Sequence, residues 1–253
     1  MYAQLPAAPP KAPSARLRAL LGALAAALLP DGACRLCALP SRAPLCSACQ
    51  CERPARWRCP RCALALSGPG AACGSCALRL PAFAGALAWS DYAPPWDRLV
   101  AQIKFGDDPA LARWLGMLLG QCLRAERPGW APARWVLPVP LSPGRLRRRG
   151  YNQAWELARR VARALKLSAD ASLLLRHGGA AHQADLGRAE RQRNLRSAFM
   201  VEPRRRGELQ GRRVALVDDV MTTGATAREA AAVLRRAGAA AVDVWVLART
   251  PQH

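Results

Sequence analysis

The sequence predicts an α/β protein, a parallel sheet with helices on both faces, preceded by a small metal-stapled module. Two observations carry this. From Gly85 onward, short apolar runs of strand type alternate with segments whose apolar residues recur at helical spacing, the pattern of strand, crossover helix and parallel strand. Ahead of that region, nine of the ten cysteines lie between Cys34 and Cys76, eight of them in four C-x-x-C pairs. With 253 residues, 51% of them hydrophobic, the chain can build one substantial domain and a small appendage.

The elements follow in order. Residues 1–14 hold four prolines and no apolar period, and read as a disordered lead. Leu20–Leu29 is apolar and follows Arg16 and Arg18, the outline of a secretory signal. It falls short of the roughly 20 residues that span a bilayer. Pro30 and Asp31 stand where a cleavage site would be, so the segment is read as a short helix ending at Pro30, and no membrane span is expected.

Residues 31–80 are expected to form a double zinc ribbon. The pairs are Cys34/Cys37, Cys46/Cys49, Cys59/Cys62 and Cys73/Cys76, separated by eight, nine and ten residues. A C-x-x-C turn aims two thiolates at one tetrahedral Zn²⁺, and a short hairpin delivers the second pair. Two structural Zn²⁺ ions would also explain how a loop-rich stretch with few large apolar residues folds at all. A secreted disulfide framework would not need the C-x-x-C unit four times. Neighbouring pairs on one ion is the simpler topology, and an interleaved cross-brace is the other. Cys51 is surplus to both, and Cys122 falls in a helical segment and is expected to be a buried apolar thiol. Arg53, Arg56, Trp57, Arg58 and Arg61 between the ribbons offer a surface for nucleic acid, a structural role being the simpler reading.

Residues 81–253 form the main domain. Gly85–Trp89 reads as a strand. Pro94-Pro95 opens a helix over Trp96–Phe105, and a second helix runs from Pro109 to Arg124 with Leu111, Leu115, Leu118 and Leu119 on one face. Trp135–Pro140 is a short strand ended by prolines, and Asn152–Leu165 an amphipathic helix. Arg213–Val217 is an apolar strand, Thr226–Ala237 a helix stopped by Gly238, and Val242–Leu247 the last strand.

The chemistry concentrates in Val214–Thr226. A buried strand ends in two adjacent carboxylates, Asp218 and Asp219, and Thr222, Thr223, Gly224, Ala225 and Thr226 lead into a helix. In open α/β sheets ligands bind beyond the carboxyl ends of the strands. A Gly-containing loop entering a helix presents backbone N–H groups and the positive end of the helix dipole to an anion. A phosphate therefore fits at 222–226 and vicinal hydroxyls fit the acids, together a ribose 5-phosphate. A helix cap alone would explain the threonines but not two acids at a strand end. A second block places Arg145, Arg147, Arg148 and Arg149 after Val136–Pro140, where they suit a diphosphate. A third, with Gln183, Leu186, Arg188, Arg191, Asn194 and Phe199, fits a polar flap.

Val214–Thr226 resembles the thirteen-residue phosphoribosyl-diphosphate motif of type I phosphoribosyltransferases at every class of position. The order of these blocks, the four C-x-x-C pairs, Asp91–Pro95, Ile103–Phe105 and above all Arg149-Gly150-Tyr151-Asn152-Gln153 resemble the ComF family of late-competence proteins over residues 30–250. That resemblance implies a type I phosphoribosyltransferase-like domain behind an N-terminal zinc ribbon. Asp218 and Asp219 would contact the ribose hydroxyls and act as the catalytic pair. Thr222–Thr226 would bind the 5′-phosphate, and Val139, Arg145, Arg149, Tyr151, Asn152 and Lys104 would complete the substrate site. The implied reaction displaces diphosphate from ribose C1, with Mg²⁺ bridging the ribose hydroxyls and the diphosphate and rate coming from positioning and charge stabilisation. None of His177, His182 and His253 is needed for it.

The family link to natural transformation makes single-stranded DNA and competence proteins the implied partners, and the cytoplasm the implied compartment. A second reading keeps the fold without turnover, using the phosphate loop and the arginines to hold single-stranded DNA or a partner protein. The formal charge of +21, from 38 basic and 17 acidic residues, suits a phosphate-bearing partner of either kind without choosing between them. All but three of the basic residues are arginine, whose planar fork grips phosphate bidentately.

Overall fold

The computed structural model describes residues 32–52, 57–70, 72–126, 133–176 and 198–252. The lead, the Leu20–Leu29 segment, Arg53, Arg56, residues 183–194 of the expected flap and the three histidines lie outside the described residues. The chain divides into two compact units, Met1–Cys51 and Glu52–His253.

In the first unit Cys34 and Cys37 sit on a tight turn, and α1 (Ser47–Cys51) carries Cys49 inward. The turn is closed by Ala38 N donating to Cys34 O at 2.9 Å and by Cys34 N donating to Leu39 O at 2.8 Å. The second unit repeats it: Ala63 N donates to Cys59 O, and Cys59 N to Leu64 O, both at 2.8 Å. Ala38 and Ala63 both adopt left-handed φ, +60° and +57°. An L-residue does so at a cost that the surrounding turn must offset. The second knuckle is completed by a two-stranded ribbon, β1 (Trp57–Arg58) and β2 (Ala65–Leu66), and by α2 (Gly74–Leu78) carrying Cys76.

The rest of the second unit is built on a five-stranded parallel sheet. Its strands are β3 (Gly85–Asp91), β4 (Trp135–Pro138), β5 (Ser168–Ala169), β8 (Arg213–Met221) and β9 (Ala241–Arg249), in the order β3-β9-β8-β4-β5. A separate antiparallel pair joins β6 (Leu174–Arg176) to β7 (Phe199–Val201). Between β3 and β4 lie α3 (Asp97–Phe105) and α4 (Pro109–Glu126); between β4 and β5 lie α5 (Pro143–Arg149) and α6 (Gln153–Leu165). α7 (Ala225–Arg236) links β8 to β9.

The helices cover both faces, as alternation along the strands requires. Leu137, Val214, Leu216, Val244 and Val246 join Ala227, Ala230, Ala231 and Leu234 of α7 in one apolar core. The intervening residues Val136, Ala215 and Val217 are equally buried, on the face that α6 covers with Leu157, Ala158 and Val161. The connection from β4 through α6 runs to β5, away from β8, while that from β8 through α7 runs to β9 in the other direction. The sheet therefore has its topological switch point between β4 and β8, and the crevice beyond their carboxyl ends is where such a sheet binds ligands.

Two departures from expectation shape that crevice. The strand expected to stop at Val217 continues to Met221, because β9 pairs with it through Met221↔Arg249. On its other side β4 ends at Pro138, whose ring removes a donor, and the ladder closes with Val139 N on Val217 O at 2.9 Å. The arginine block after Ser142, to which the sequence assigned no regular element, forms the seven-residue helix α5, with no buried residue.

α4 and α6 cross closely through glycines. A Cβ on Gly116 would sit 2.8 Å from Leu157 O and 2.9 Å from Leu157 Cα, and one on Gly120 would sit 2.6 Å from Ala164 Cβ. Gly116→Ala must push α4 and α6 apart, so it is expected to cost about 1–3 kcal/mol, more than the gain of about 1 kcal/mol that alanine brings to a helix interior. A lower urea midpoint checks this, and an unchanged or higher midpoint would refute the close crossing. Cys122 is not the buried apolar thiol expected: it is half-buried on α4 and its Sγ meets Glu126 Oε1 at 3.4 Å.

Candidate functional site

Asp218 and Asp219 lie in the uncovered end of β8, past the last pairing with β4. Strand alternation sends them to opposite faces. Asp219, 4% exposed, turns to the α3 and α6 side, where Gln153 Nε2 donates to its Oδ2 at 2.7 Å and Lys104 Nζ lies 3.2 Å from its Oδ1. Lys104 also stands over the Tyr92 ring, 5.7 Å from its centroid. Asp218 is half-buried on the α7 side, and its Oδ1 accepts from Asp219 N at 2.8 Å. Burial first, and then the neighbouring Asp219 charge, push the Asp218 carboxyl up to about 8, against the pull of Lys104 and Arg176.

Around this pair the α5–α6 corner is tied down. Asn152 Nδ2 donates to Val139 O at 3.3 Å while its Oδ1 accepts from Ala154 N at 3.0 Å and caps α6. Tyr151 donates its hydroxyl to Ile103 O, one residue before Lys104. Burial, with the charges of Asp107 and Asp108, pushes the Tyr151 hydroxyl up to about 12, so it remains a donor. Thus Lys104 reaches Asp219 directly, while Asn152 is tied to Val139 and Tyr151 to the residue before Lys104. Arg149 covers the Phe105 ring at 5.6 Å, and Arg145 is exposed on α5.

The loop after β8 has an anion site's outline. Gly224 has φ +75°, and Thr222, Thr223, Ala225 and Thr226 are exposed. Thr223 Oγ1 accepts from Ala225 N at 3.3 Å, and Gly224 O receives Arg228 N at 2.9 Å. The first-turn amides of α7 have no intrahelical acceptor. A Cβ on Gly224 would meet Arg228 Nη1 at 3.2 Å and Met221 Sδ at 3.5 Å. Of the expected flap, the described Phe199 is a core residue, 1% exposed in β7 with Arg176 over its ring at 5.0 Å.

The eight paired cysteines gather as neighbours: Cys34, Cys37, Cys46 and Cys49 in one group, Cys59, Cys62, Cys73 and Cys76 in the other, the sulfurs of each within 4.8 Å of one another. This selects the neighbouring pairing over the cross-brace. Cys37 and Cys46 sulfurs lie 3.7 Å apart and those of Cys62 and Cys73 3.6 Å apart. A tetrahedron with Zn–S of about 2.3 Å has edges of about 3.8 Å, so the residues fit the ion. Burial raises the Cys34 and Cys59 thiols, but backbone N–H groups (Cys37, Cys46 and Leu36 on one, Cys73, Cys62 and Arg61 on the other) outweigh it and bring them down to about 6 and about 7. Burial and the adjoining sulfurs push Cys49 and Cys76 up. Four thiols so crowded need a cation to ionise together. Cys51 stays outside both groups.

Residues 152–253 match the family described as the phosphoribosyl transferase domain. The DNA utilization protein YhgH of Salmonella typhi is 38% identical over 227 residues, covering 87% of this chain and 97% of that protein. Competence protein F of Haemophilus influenzae is 34% identical over 209 residues, covering 81% of this chain and 90% of that protein. The chain belongs to the ComF family. Its fold is a phosphoribosyltransferase-like parallel sheet with two tetracysteine groups ahead of it. Among solved structures, the glutamine phosphoribosylpyrophosphate amidotransferase of B. subtilis aligns with 58% of the chain and 30% of its own at 23% identity and a TM-score of 0.41.

In this ComF chain the structure adds residues that the sequence did not single out for the site. Gln153 stands in the Arg149–Gln153 signature, but only its tertiary pairing to Asp219 reveals its part. Arg249, at the end of an apolar strand, is 3% exposed and grips the root of the Thr222–Thr226 loop. No helix among the described residues is long and apolar enough to cross a membrane.

Proposed function

We propose that the crevice between β4 and β8 binds phosphoribosyl diphosphate and that the protein acts in DNA uptake. The observation that carries the binding is a half-buried carboxylate, Asp218, beside an exposed Thr-Gly loop at the sheet's switch point. The 5′-phosphate would take the first-turn amides and the hydroxyls of Thr222–Thr226. Asp218 would face the ribose hydroxyls, with Asp219 held behind it by Lys104 and Gln153. Mg²⁺ is bound in such sites by one or two carboxylates plus substrate phosphates, and Asp218 suits that donor set; the ion would neutralise diphosphate charge. The role in DNA uptake is supported by the names of the relatives, a DNA utilization protein and a competence protein.

Calorimetric titration with phosphoribosyl diphosphate and Mg²⁺ is expected to show one site per chain, lost in the Asp218→Asn/Asp219→Asn double variant. Equal affinity in the double variant defeats the site.

A second reading, single-stranded DNA on α5, is favoured by one feature. Arg145, Arg147 and Arg148 are exposed on a helix with no buried residue, and Phe105, under Arg149 of that helix, is 79% exposed. Replacing these three arginines with Ala is expected to lower the slope of log affinity against log salt for an oligonucleotide by roughly 2, at about 0.7 per phosphate contact. A variant with the parent slope removes that surface from consideration.

A further inference from the structure

Arg249 touches both the second cysteine knuckle and the root of the anion loop. Its guanidinium is buried at the end of β9. Nε donates to Cys62 O at 3.1 Å, while Nη1 donates to Met221 O at 3.1 Å, to Thr250 O at 2.8 Å and to Thr222 O. Thr250 N also donates to Met221 O at 3.1 Å. Among the described residues Arg249 forms no ion pair, so its charge is satisfied by these carbonyls. A buried guanidinium that loses such an acceptor is left with a desolvated donor, and the network it belongs to shifts as a unit.

The Cys62 carbonyl is in place because the knuckle is closed. It precedes Ala63, whose left-handed φ of +57° is sustained by the Cys59–Leu64 turn. Arg58 Nη1 adds bonds to Ala63 O at 3.1 Å and to Asp91 Oδ1 at 2.8 Å. A metal on Cys59, Cys62, Cys73 and Cys76 would hold both ends of that turn.

We propose that Arg249 is a positioning residue that fixes the anion loop to the second tetracysteine knuckle, so that the loop keeps its binding conformation only while that knuckle is closed on its metal. This rests on the phosphoribosyl reading for the loop's ligand, but the coupling itself needs no ligand to be seen.

Hydrogen exchange of the full chain, zinc-loaded and zinc-stripped by a chelator, tests it with Arg249→Met and Arg249→Lys. The reporting amides are those of Ala225, Arg228 and Thr250, which bond to Thr223 Oγ1, Gly224 O and Met221 O. In the parent, stripping zinc is expected to speed their exchange by about tenfold, the scale of one lost hydrogen bond to a charged donor. Arg249→Met should show that faster exchange with zinc bound, and stripping should add nothing to it. Arg249→Lys, keeping a donor, should fall between. The amides of Val214–Val217 report whether the sheet itself stays folded; if they open in the Met variant, the Lys variant decides by the same comparison. Parent-like exchange at the three amides in the substituted proteins, or an undiminished response to zinc stripping, overturns the proposal. A failure of phosphoribosyl diphosphate to bind the parent protein would count against the proposed function and leave this coupling standing.

Discussion

Asp218→Asn is expected to stabilise the ligand-free protein at pH 8 while weakening phosphoribosyl-diphosphate binding roughly tenfold to a hundredfold, the range for a lost hydrogen bond to a charged group. Asp218 has its carboxyl pushed up to about 8 from an ordinary 3.8, by burial and by the Asp219 charge. With a folded value above the unfolded one, the fold prefers the neutral acid. Its contribution is fully present below the unfolded value and is lost as pH rises through about 8. The parent's stability should therefore fall between about pH 4 and pH 8, by an amount on the order of a few kcal/mol at about 1.36 kcal/mol per unit. Asparagine copies the neutral form at every pH, so the fall should flatten in the variant. A melting-temperature series from about pH 4 to about pH 8 on both proteins measures it, with several degrees expected between them at the upper end. Identical pH profiles would show that Asp218 is ionised and open to water, contrary to its burial beside the Asp219 charge. Titrating Mg²⁺ with the ligand into the parent at pH 8 should recover the lost stability, since binding to the folded form alone raises it.

Much of this site is legible in the sequence because it depends on local pattern. Four apolar residues, two acids and a Thr-Gly turn announce a strand end and a turn into a helix, and the regular C-x-x-C spacing announces two tetracysteine groups. What stayed hidden depends on partners distant along the chain. β8 runs on to Met221 because β9 reaches Arg249, and no local feature of Asp218-Asp219-Val220 reports that pairing. Once the acids belong to a strand, period-two alternation puts them on opposite faces, so one becomes a buried anchor and the other a candidate ligand contact. α5 has no apolar stripe, because it buries nothing, so its helical character left no periodic trace. Gln153 and Arg249 are uncharged and charged examples of the same difficulty. Each is an ordinary residue at an element's end until the fold brings Asp219 or Cys62 to it.

Cys76→Ser is expected to release one of two Zn²⁺ ions and to make the protein associate. The second knuckle covers an edge of the sheet. Ala86 N donates to Pro60 O at 3.1 Å and Arg58 pairs with Asp91 at 2.8 Å on β3, and Arg61 Nη1 donates to Ala84 O at 2.9 Å just before it. All seven residues of β3 are buried, so an opened knuckle would bare an apolar strand edge with unpaired amides, the template for edge-to-edge pairing. Structural zinc supplies about 10–16 kcal/mol of apparent binding energy to isolated zinc-finger peptides, and a knuckle with one thiolate replaced loses most of the reason to stay closed. Elemental analysis should fall from two zinc ions to one per chain, and light scattering should rise on mild heating. Cys34 lies in the other compact unit. Cys34→Ser should therefore also cost one ion, yet leave β3 protected and scattering low. Equal aggregation of the two variants would mean that the second knuckle is not what guards the edge. Metal content unchanged in Cys76→Ser would remove the ion from that group altogether.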